Sequence, residues 1–297
     1  HEVCGIDNFL DYYPRQVKEN NLQAMSSNQR FSFVEGDLLT MDLSPYCDKV
    51  DWIFHQAAQA GVRASWGTDF SRYVECNVLI TQRLLELALR KDVKRFVYAS
   101  SSSVYGDIGM LPLTESTLPR PFSPYGVTKL AAEHLCKLYY ENFKLPTVSL
   151  RYFTVYGPRQ RPDMAFHRFC KAIIEQQPIC IYGTGEQTRD FTYVSDVAAA
   201  NVLAATSERA IGKVLNIAGG ARTSLHEVID MLREISGIPV TVTFGNKQHG
   251  DVRHTSASTT RAEQVLGYHP VVPLREGLLR EFQSMLPLSG SGTLISA

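Results

Sequence analysis

Nothing in this 297-residue chain is long and apolar enough to cross a bilayer, and its start, His1-Glu2-Val3-Cys4-Gly5, has neither the basic residues nor the apolar stretch of a secretory leader. Net charge is missing too. Thirty lysines and arginines balance thirty aspartates and glutamates, so no broad field steers the chain toward nucleic acid or an anionic membrane, while a local basic pocket for a phosphorylated metabolite stays open. The six cysteines, Cys4, Cys47, Cys76, Cys136, Cys170 and Cys180, are scattered without Cys-x-x-Cys spacing and fall mostly in apolar segments. That excludes a disulfide framework and a thiolate metal centre, and it fits the reduced core thiols of a cytoplasmic protein. No metal is expected.

What is present is rhythm. Short apolar strands at Val3 to Ile6, Phe31 to Val34, Trp52 to His55, Phe96 to Ala99 and Val148 to Tyr152 alternate with helical patterns near Asp69 to Arg90 and Tyr125 to Phe143. Such alternation predicts an α/β fold with a Rossmann-like, doubly wound parallel sheet over residues 1–152. Beyond Tyr152 the pieces shorten: helices near Phe166 to Glu175, after Asp196, and near Leu225 to Ile235 and Leu274 to Met285, with strands near Ile179 to Tyr182 and Leu215 to Ile217. Residues 153–287 are expected to form mainly a smaller substrate-binding lobe interleaved with the first, and 288–297, rich in Ser and Gly, a disordered tail.

In a doubly wound dinucleotide fold an acidic residue ends the second strand, about 20 residues after a Gly-rich turn that cradles the pyrophosphate. Val3-Cys4-Gly5-Ile6-Asp7-Asn8 resembles that second strand, with Asp7 placed for the adenosine ribose hydroxyls. No Gly-rich turn precedes it, and the chain opens on His rather than Met. The expectation is a chain lacking the first strand, glycine loop and first helix, with an unpaired sheet edge where that strand belongs.

The chemistry is concentrated in two stretches, Ser100-Ser101-Ser102-Ser103-Val104-Tyr105-Gly106 and Ser123-Pro124-Tyr125-Gly126-Val127-Thr128-Lys129. Ser123 followed by Pro124 is a helix start, an N-cap and then a residue whose fixed φ suits the first turn. Tyr125 and Lys129 then fall four apart on one helical face. An ammonium near the phenol favours the phenolate and lowers a pKa ordinarily about 10, as a general base for a sugar hydroxyl requires. Tyr-x-x-x-Lys alone is weak, since Tyr140 and Lys144 repeat it late in the same helix. Context separates them: Tyr125 opens the helix downstream of a hydroxyl cluster, whereas Tyr140 is expected to pack or face solvent.

Taken with Asp7-Asn8, Glu35-Gly36-Asp37-Leu38, His55-Gln56-Ala57-Ala58, Arg151-Tyr152-Phe153-Thr154-Val155-Tyr156-Gly157-Pro158-Arg159 and Arg189-Asp190-Phe191-Thr192-Tyr193-Val194-Ser195-Asp196, these segments resemble the extended short-chain dehydrogenase/reductase family. Within it they are most similar to the NAD-dependent nucleotide-sugar epimerases and dehydratases of the UDP-glucuronate 4-epimerase type. The resemblance implies a tightly held NAD, with Asp7 and Asn8 at the ribose and Asp37 and Leu38 at the adenine. Ala57, Ala58, Tyr152 and Val155 would line the cofactor, and Lys129 would bond the nicotinamide ribose. It implies Ser101, Tyr125 and Lys129 as the catalytic trio, a UDP-sugar as substrate and a homodimer as assembly. Guanidinium groups suit phosphate oxygens, and Arg63, Arg159, Arg189 and Arg253 stand at candidate positions for the diphosphate or sugar, or as anchors of their loops. Thr154 would help hold the sugar.

Dehydratases and decarboxylases of the family carry an acid at one or both positions before Val104, where this chain has Ser102 and Ser103. Two small hydroxyls can hydrogen-bond a C6 carboxylate, so the expected reaction is 4-epimerisation of a UDP-uronic acid. The alternatives are a 4-epimerase of UDP-glucose or UDP-N-acetylglucosamine, and a non-catalytic nucleotide-binding protein or inactive fragment of the same fold.

Overall fold

The computed structural model describes residues 1–286, so the tail expected at 288–297 lies outside the described residues. The first half runs β1 (Val3–Asp7), α1 (Arg15–Ser26), β2 (Phe31–Glu35), α2 (Ser44–Cys47), β3 (Trp52–His55), α3 (Phe70–Val74), α4 (Ile80–Arg90), β4 (Arg95–Ser101), α5 (Pro124–Phe143) and β5 (Thr147–Tyr152). The second half continues with β6 (Val155–Tyr156), α6 (Ala165–Ile174), β7 (Ile179–Tyr182), β8 (Thr188–Asp190), β9 (Thr192–Tyr193), α7 (Val194–Thr206) and β10 (Val214–Ile217). It closes with β11 (Arg222–Ser224), α8 (Leu225–Ser236), β12 (Val242–Gly245), α9 (Thr260–Leu266) and α10 (Leu274–Met285).

The central sheet is parallel, in the order β3-β4-β5-β10. Its middle strand β4 is buried along nearly its whole length, as a strand covered on both faces must be. Phe96 and Tyr98 point to one face, where Leu84, Leu85 and Ala88 of α4 and Ala132 and Cys136 of α5 pack. Val97 points to the other, with Val197, Ala200 and Ala204 of α7 and Ala262 of α9. Each fully buried aliphatic side chain of this kind contributes about 1.5–3 kcal/mol. The strands β1 and β2 form a separate parallel pair, Val3 opposite Phe31 through Asp7 opposite Glu35, with no ladder to β3 among the described residues. A third core gathers α6, α8 and α10 around β7 and β12.

Helices α2 and α9 and the short strands β6, β8, β9, β11 and β12 were not foreseen, and two further differences bear on the site. The helix foreseen from Asp69 to Arg90 is broken by a π-helical turn, Glu75–Leu79, between α3 and α4. Its cause is Asn77, whose Oδ1 accepts from the Gln59 N–H (2.8 Å) while its Nδ2 donates to the Gln59 carbonyl (3.1 Å) and the Thr128 hydroxyl (2.9 Å). The widened turn aims the amide inward, the usual setting of such bulges. Helix α1 was not foreseen. It buries no residue fully, and it is pinned by Arg15, whose two terminal nitrogens donate to Glu35 at 2.8 and 2.7 Å.

Candidate active site

The site lies at the carboxyl ends of the central strands, where open α/β sheets take their ligands. Ser101 ends β4, and its Oγ accepts from the Ser103 N–H (3.1 Å), folding Ser102–Val104 into one 3₁₀ turn. Opposite, Ser123 caps α5: its Oγ accepts from the Gly126 N–H at 3.1 Å, and Pro124 takes the first helical position. Gly126 is required there. A Cβ on it would stand 2.5 Å from the Ser103 carbonyl oxygen, so only glycine lets the helix that carries Tyr125 reach the serine turn.

Two cavities meet at this junction. The first, of about 490 Å³, runs from Asp7, Asn8 and Leu38 past Ala57 and Ala58 to Lys129, with an apolar floor that includes Ile6, Phe33 and Ile80. The second, of about 810 Å³, is lined by Arg63, Ser101, Ser102, Ser103, Thr154 and Val155. Tyr125, Ser100, Tyr152 and Arg161 line both. Tyr140, by contrast, packs on Gly212, with the Lys144 ammonium over its ring at 5.8 Å, and lines neither.

Electrostatics corrects one expectation. Burial pushes the Tyr125 phenol above its ordinary pKa, and the groups pulling it down are the Ser101 hydroxyl and the Arg161 guanidinium, not Lys129. Lys129 is 3 % exposed, and its ammonium sits 4.5 Å over the ring of Tyr98. Burial draws it down to about 7, against the opposing pull of Cys136 and Glu133. Helical spacing put Tyr125 and Lys129 on one face; it did not reveal the aromatic ring that receives the amine.

The four arginines separate. Arg63 lines the larger cavity, stacked 4.4 Å over Tyr182, and donates to Asp251 at 2.8 Å. Arg189 donates to the carbonyls of Val252 (2.6 Å) and Arg253 (3.1 Å), and Arg253 pairs with Asp107 at 3.4 Å; neither lines either of these two cavities. Arg159 is exposed, with a positive φ of 68° and a long bond to the Asn21 carbonyl, 3.4 Å. Val155, expected beside the cofactor, faces the larger cavity only. Asp37 lines neither: it accepts from the Leu39 N–H (2.8 Å) and the Asn8 amide (3.4 Å), so it shapes the loop on which Asn8 stands. Asp7 accepts from the Phe9 N–H at 2.7 Å.

Several site residues escaped sequence reading. Arg161 pairs with Asp163 (2.9 Å), which accepts from the Tyr12 hydroxyl at 3.3 Å, and Arg168 stacks 5.1 Å over Tyr182. Gln56 and Asn201 hold Tyr152: its hydroxyl donates to Asn201 Oδ1 at 2.8 Å, and the Gln56 amide donates to both at 3.2 and 3.0 Å. Gln56 stood in the His55-Gln56-Ala57-Ala58 signal; Asn201, inside an Ala-rich helix, gave none. The Arg189 to Asp196 motif works largely as a fastener. Asp190 accepts from the N–H groups of Gly219 (2.9 Å), Gly220 (3.1 Å) and Ala257 (3.2 Å), and Asp196 from Val271 and Val272 (3.2 and 3.3 Å).

The sheet, the two cavities and the Ser-Tyr-Lys set define a dinucleotide-using enzyme fold, and the sequence profile of the NAD dependent epimerase/dehydratase family matches residues 1–218. The chain belongs to that family. It is 44% identical over 281 residues to the uncharacterized UDP-glucose epimerase YtcB of Bacillus subtilis, covering 95% of this chain and 89% of that one. It is 35% identical to the UDP-glucuronate 4-epimerase of Thermodesulfobacterium geofontis, covering 94% and 86%. Among solved structures it is similar to the UDP-glucuronic acid 4-epimerase of Bacillus cereus in complex with UDP-glucuronic acid and NAD, with a TM-score of 0.93 and 45% identity over 95% of this chain and 90% of that one.

Proposed function

We propose that this protein is an NAD-dependent isomerase that inverts C4 of UDP-glucuronate to give UDP-galacturonate through a 4-keto sugar. The observation that carries the reading is the junction itself: Tyr125, the shared phenol that meets the Ser101 hydroxyl, lines both cavities, of which the larger is lined by Ser102 and Ser103 where a carboxylic acid would serve elimination or decarboxylation.

The smaller cavity fits a dinucleotide. It has a carboxylate, Asp7, at one end for a ribose diol, small alanines along its wall and a buried amine at the other. A free 2′-phosphate would meet Asp7 as a like charge, which favours NAD over its phosphorylated form. Asn8 and Leu38 would hold the adenosine, and Lys129 and Tyr152 the nicotinamide end. When bound, NAD supplies the reversible two-electron oxidation of C4.

The chain's own residues handle the proton and the sugar. Tyr125 takes the O4 proton as C4 becomes trigonal, with Ser101 donating to O4, and returns it to the same oxygen after the keto sugar has turned over. Thr154 and the serine pair hold the sugar and its C6 carboxylate while it turns. That carboxylate matters, because the keto form is a β-keto acid and its orientation decides whether CO2 is retained. Arg63, together with Arg161 or Arg168, supplies cations for the diphosphate; Arg189 and Arg253 act on it by holding the loop at 251–253.

Residues up to Tyr152 would then serve mostly the cofactor and later ones mostly the sugar nucleotide, with β10 and α9 returning to the first sheet. A homodimer is supported by Val127 and Leu138, eleven residues apart on the outward face of α5 and 50% and 51% exposed. Six unpaired thiols support a cytoplasmic setting. The test is kcat/KM for UDP-glucuronate, UDP-glucose and UDP-N-acetylglucosamine with NAD present. The uronic acid should be preferred; a neutral sugar turning over faster would move the reading to a neutral-sugar epimerase.

A further inference from the structure

Beneath the catalytic junction lies an ion pair that the reaction as described does not use. Glu133 of α5 and Arg151 of β5 are each about 5% exposed along the side chain, and the guanidinium donates to the carboxylate at 2.9 and 2.5 Å. Every other ion pair among the described residues has at least one solvent-exposed partner. A third element joins through Ser100, the neighbour of Ser101, whose hydroxyl donates to Glu133 Oε2 at 2.6 Å. Burying two charges costs more than an apolar contact would, so such a pair calls for a reason beyond stability.

The reason is in its placement. Glu133 stands four residues after Lys129, which puts both on one face of α5, and both are buried. Lys129 has no carboxylate within salt-bridge distance among the described residues, and its ammonium rests on the Tyr98 ring. Taking that amine out of water favours its neutral form. Around it stand His55 from β3, Tyr98 from β4, and Cys136 and Glu133 from its own helix, with Tyr125 lining the same cavity. Of these only Glu133 carries a fixed negative charge. Arg151 faces the far side of that carboxylate, stacked 4.7 Å over Tyr105.

We propose that Glu133 is a positioning residue for the epimerisation. Through Ser100 and Arg151 it fixes the strand end bearing Ser101 against the helix bearing Tyr125 and Lys129, and its charge one turn away keeps Lys129 an ammonium. This rests on the epimerase reading for its purpose, but not for its physics.

The test is Glu133→Gln, read in two ways. The titration midpoint of the Lys129 amine, followed by lysine-labelled NMR with Lys129→Arg as the assignment control, should fall by about one pH unit. In steady state kcat should fall about tenfold while KM for the UDP-sugar changes less than twofold, and Glu133→Asp should recover most of both. If Glu133→Gln does not fold, Glu133→Gln with Arg151→Gln removes both charges together, and the Lys129 midpoint should still fall. A midpoint that stays in place in either variant overturns the proposal, as does a loss confined to melting temperature. A wild-type protein that turns over no UDP-sugar would remove the epimerase reading and leave the Lys129 titration to be decided alone.

Discussion

Tyr125 and Lys129 are one helical turn apart, yet burial moves them in opposite directions, the phenol upward and the amine down to about 7. Ser101 and Arg161 are what restrain the phenol. Replacing Tyr125 by Phe should therefore lower kcat by about 10²- to 10⁴-fold, the usual worth of a general acid or base, and leave UDP affinity nearly intact because the cations are untouched. Unchanged turnover would assign the O4 proton to another group. Replacing Ser102 and Ser103 together by Ala should narrow the preference for UDP-glucuronate over UDP-glucose by one to two decades, since a charge-assisted hydrogen bond is worth about 1.5–3 kcal/mol. Product analysis should show more of the pentose. A third residue reports on stability. Glu281 is 1% exposed, accepts from the Gly157 N–H at 2.8 Å and leaves its other oxygen unpartnered; burial raises its pKa to about 8 against that backbone bond. The folded form thus holds the proton more tightly than the unfolded one, so this stabilisation is full below about pH 4 and is lost as pH rises through 8. The melting temperature should fall less between pH 6 and 9 in Glu281→Gln than in the wild type.

Single arginines were the least legible residues. Arg189 and Arg253 look like phosphate ligands in sequence, but their charges are satisfied by carbonyls and a carboxylate on loops 64 and 146 positions away. Arg161 gave no signal of its own, because its value comes from where β6 and α6 bring it. The Ser123 cap and the trio's place on strand and helix were legible because they are local: short-range sterics and hydrogen bonds decide them.

At the scale of elements, what matters is how closely α5 approaches the serine turn. Gly126→Ala puts a Cβ against the Ser103 carbonyl, which neither a rotamer nor a side-chain shift can relieve. The helix must back away, and turnover should drop at least tenfold with UDP affinity largely kept. A Gly126→Ala enzyme with wild-type kcat would show that the approach is not required. Helices α2 and α9 and the short strands β6, β8, β9, β11 and β12 passed unread, whereas β1 to β5, β7 and β10 were readable from apolar runs, and α4 to α8 and α10 from their stripes. Helix α1 and the π turn were not. The first buries no residue fully, and the second exists for one amide, Asn77, that periodicity counts as a polar intrusion.

At the scale of the molecule, the later part of the chain is woven into the earlier. Strand β10 pairs with β5, α7 and α9 cover the sheet, and Asp190 and Asp196 clamp segments from Gly219 to Val272. The cores therefore cross a boundary near Tyr152, and no local pattern announces a return across 60 residues. On the outer face of α5, Leu138→Glu should convert a dimer to a monomer in light scattering with the fold retained; a wild type that is already monomeric would discard that interface.

The central claim, inversion at C4 without loss or exchange of its hydrogen, is tested most directly with UDP-glucuronate deuterated at C4. Incubated with the protein and NAD in ordinary water, it should yield UDP-galacturonate that keeps the deuterium at C4, with little pentose. Loss of the label to solvent, UDP-pentose as the main product, or no product at all would contradict the account.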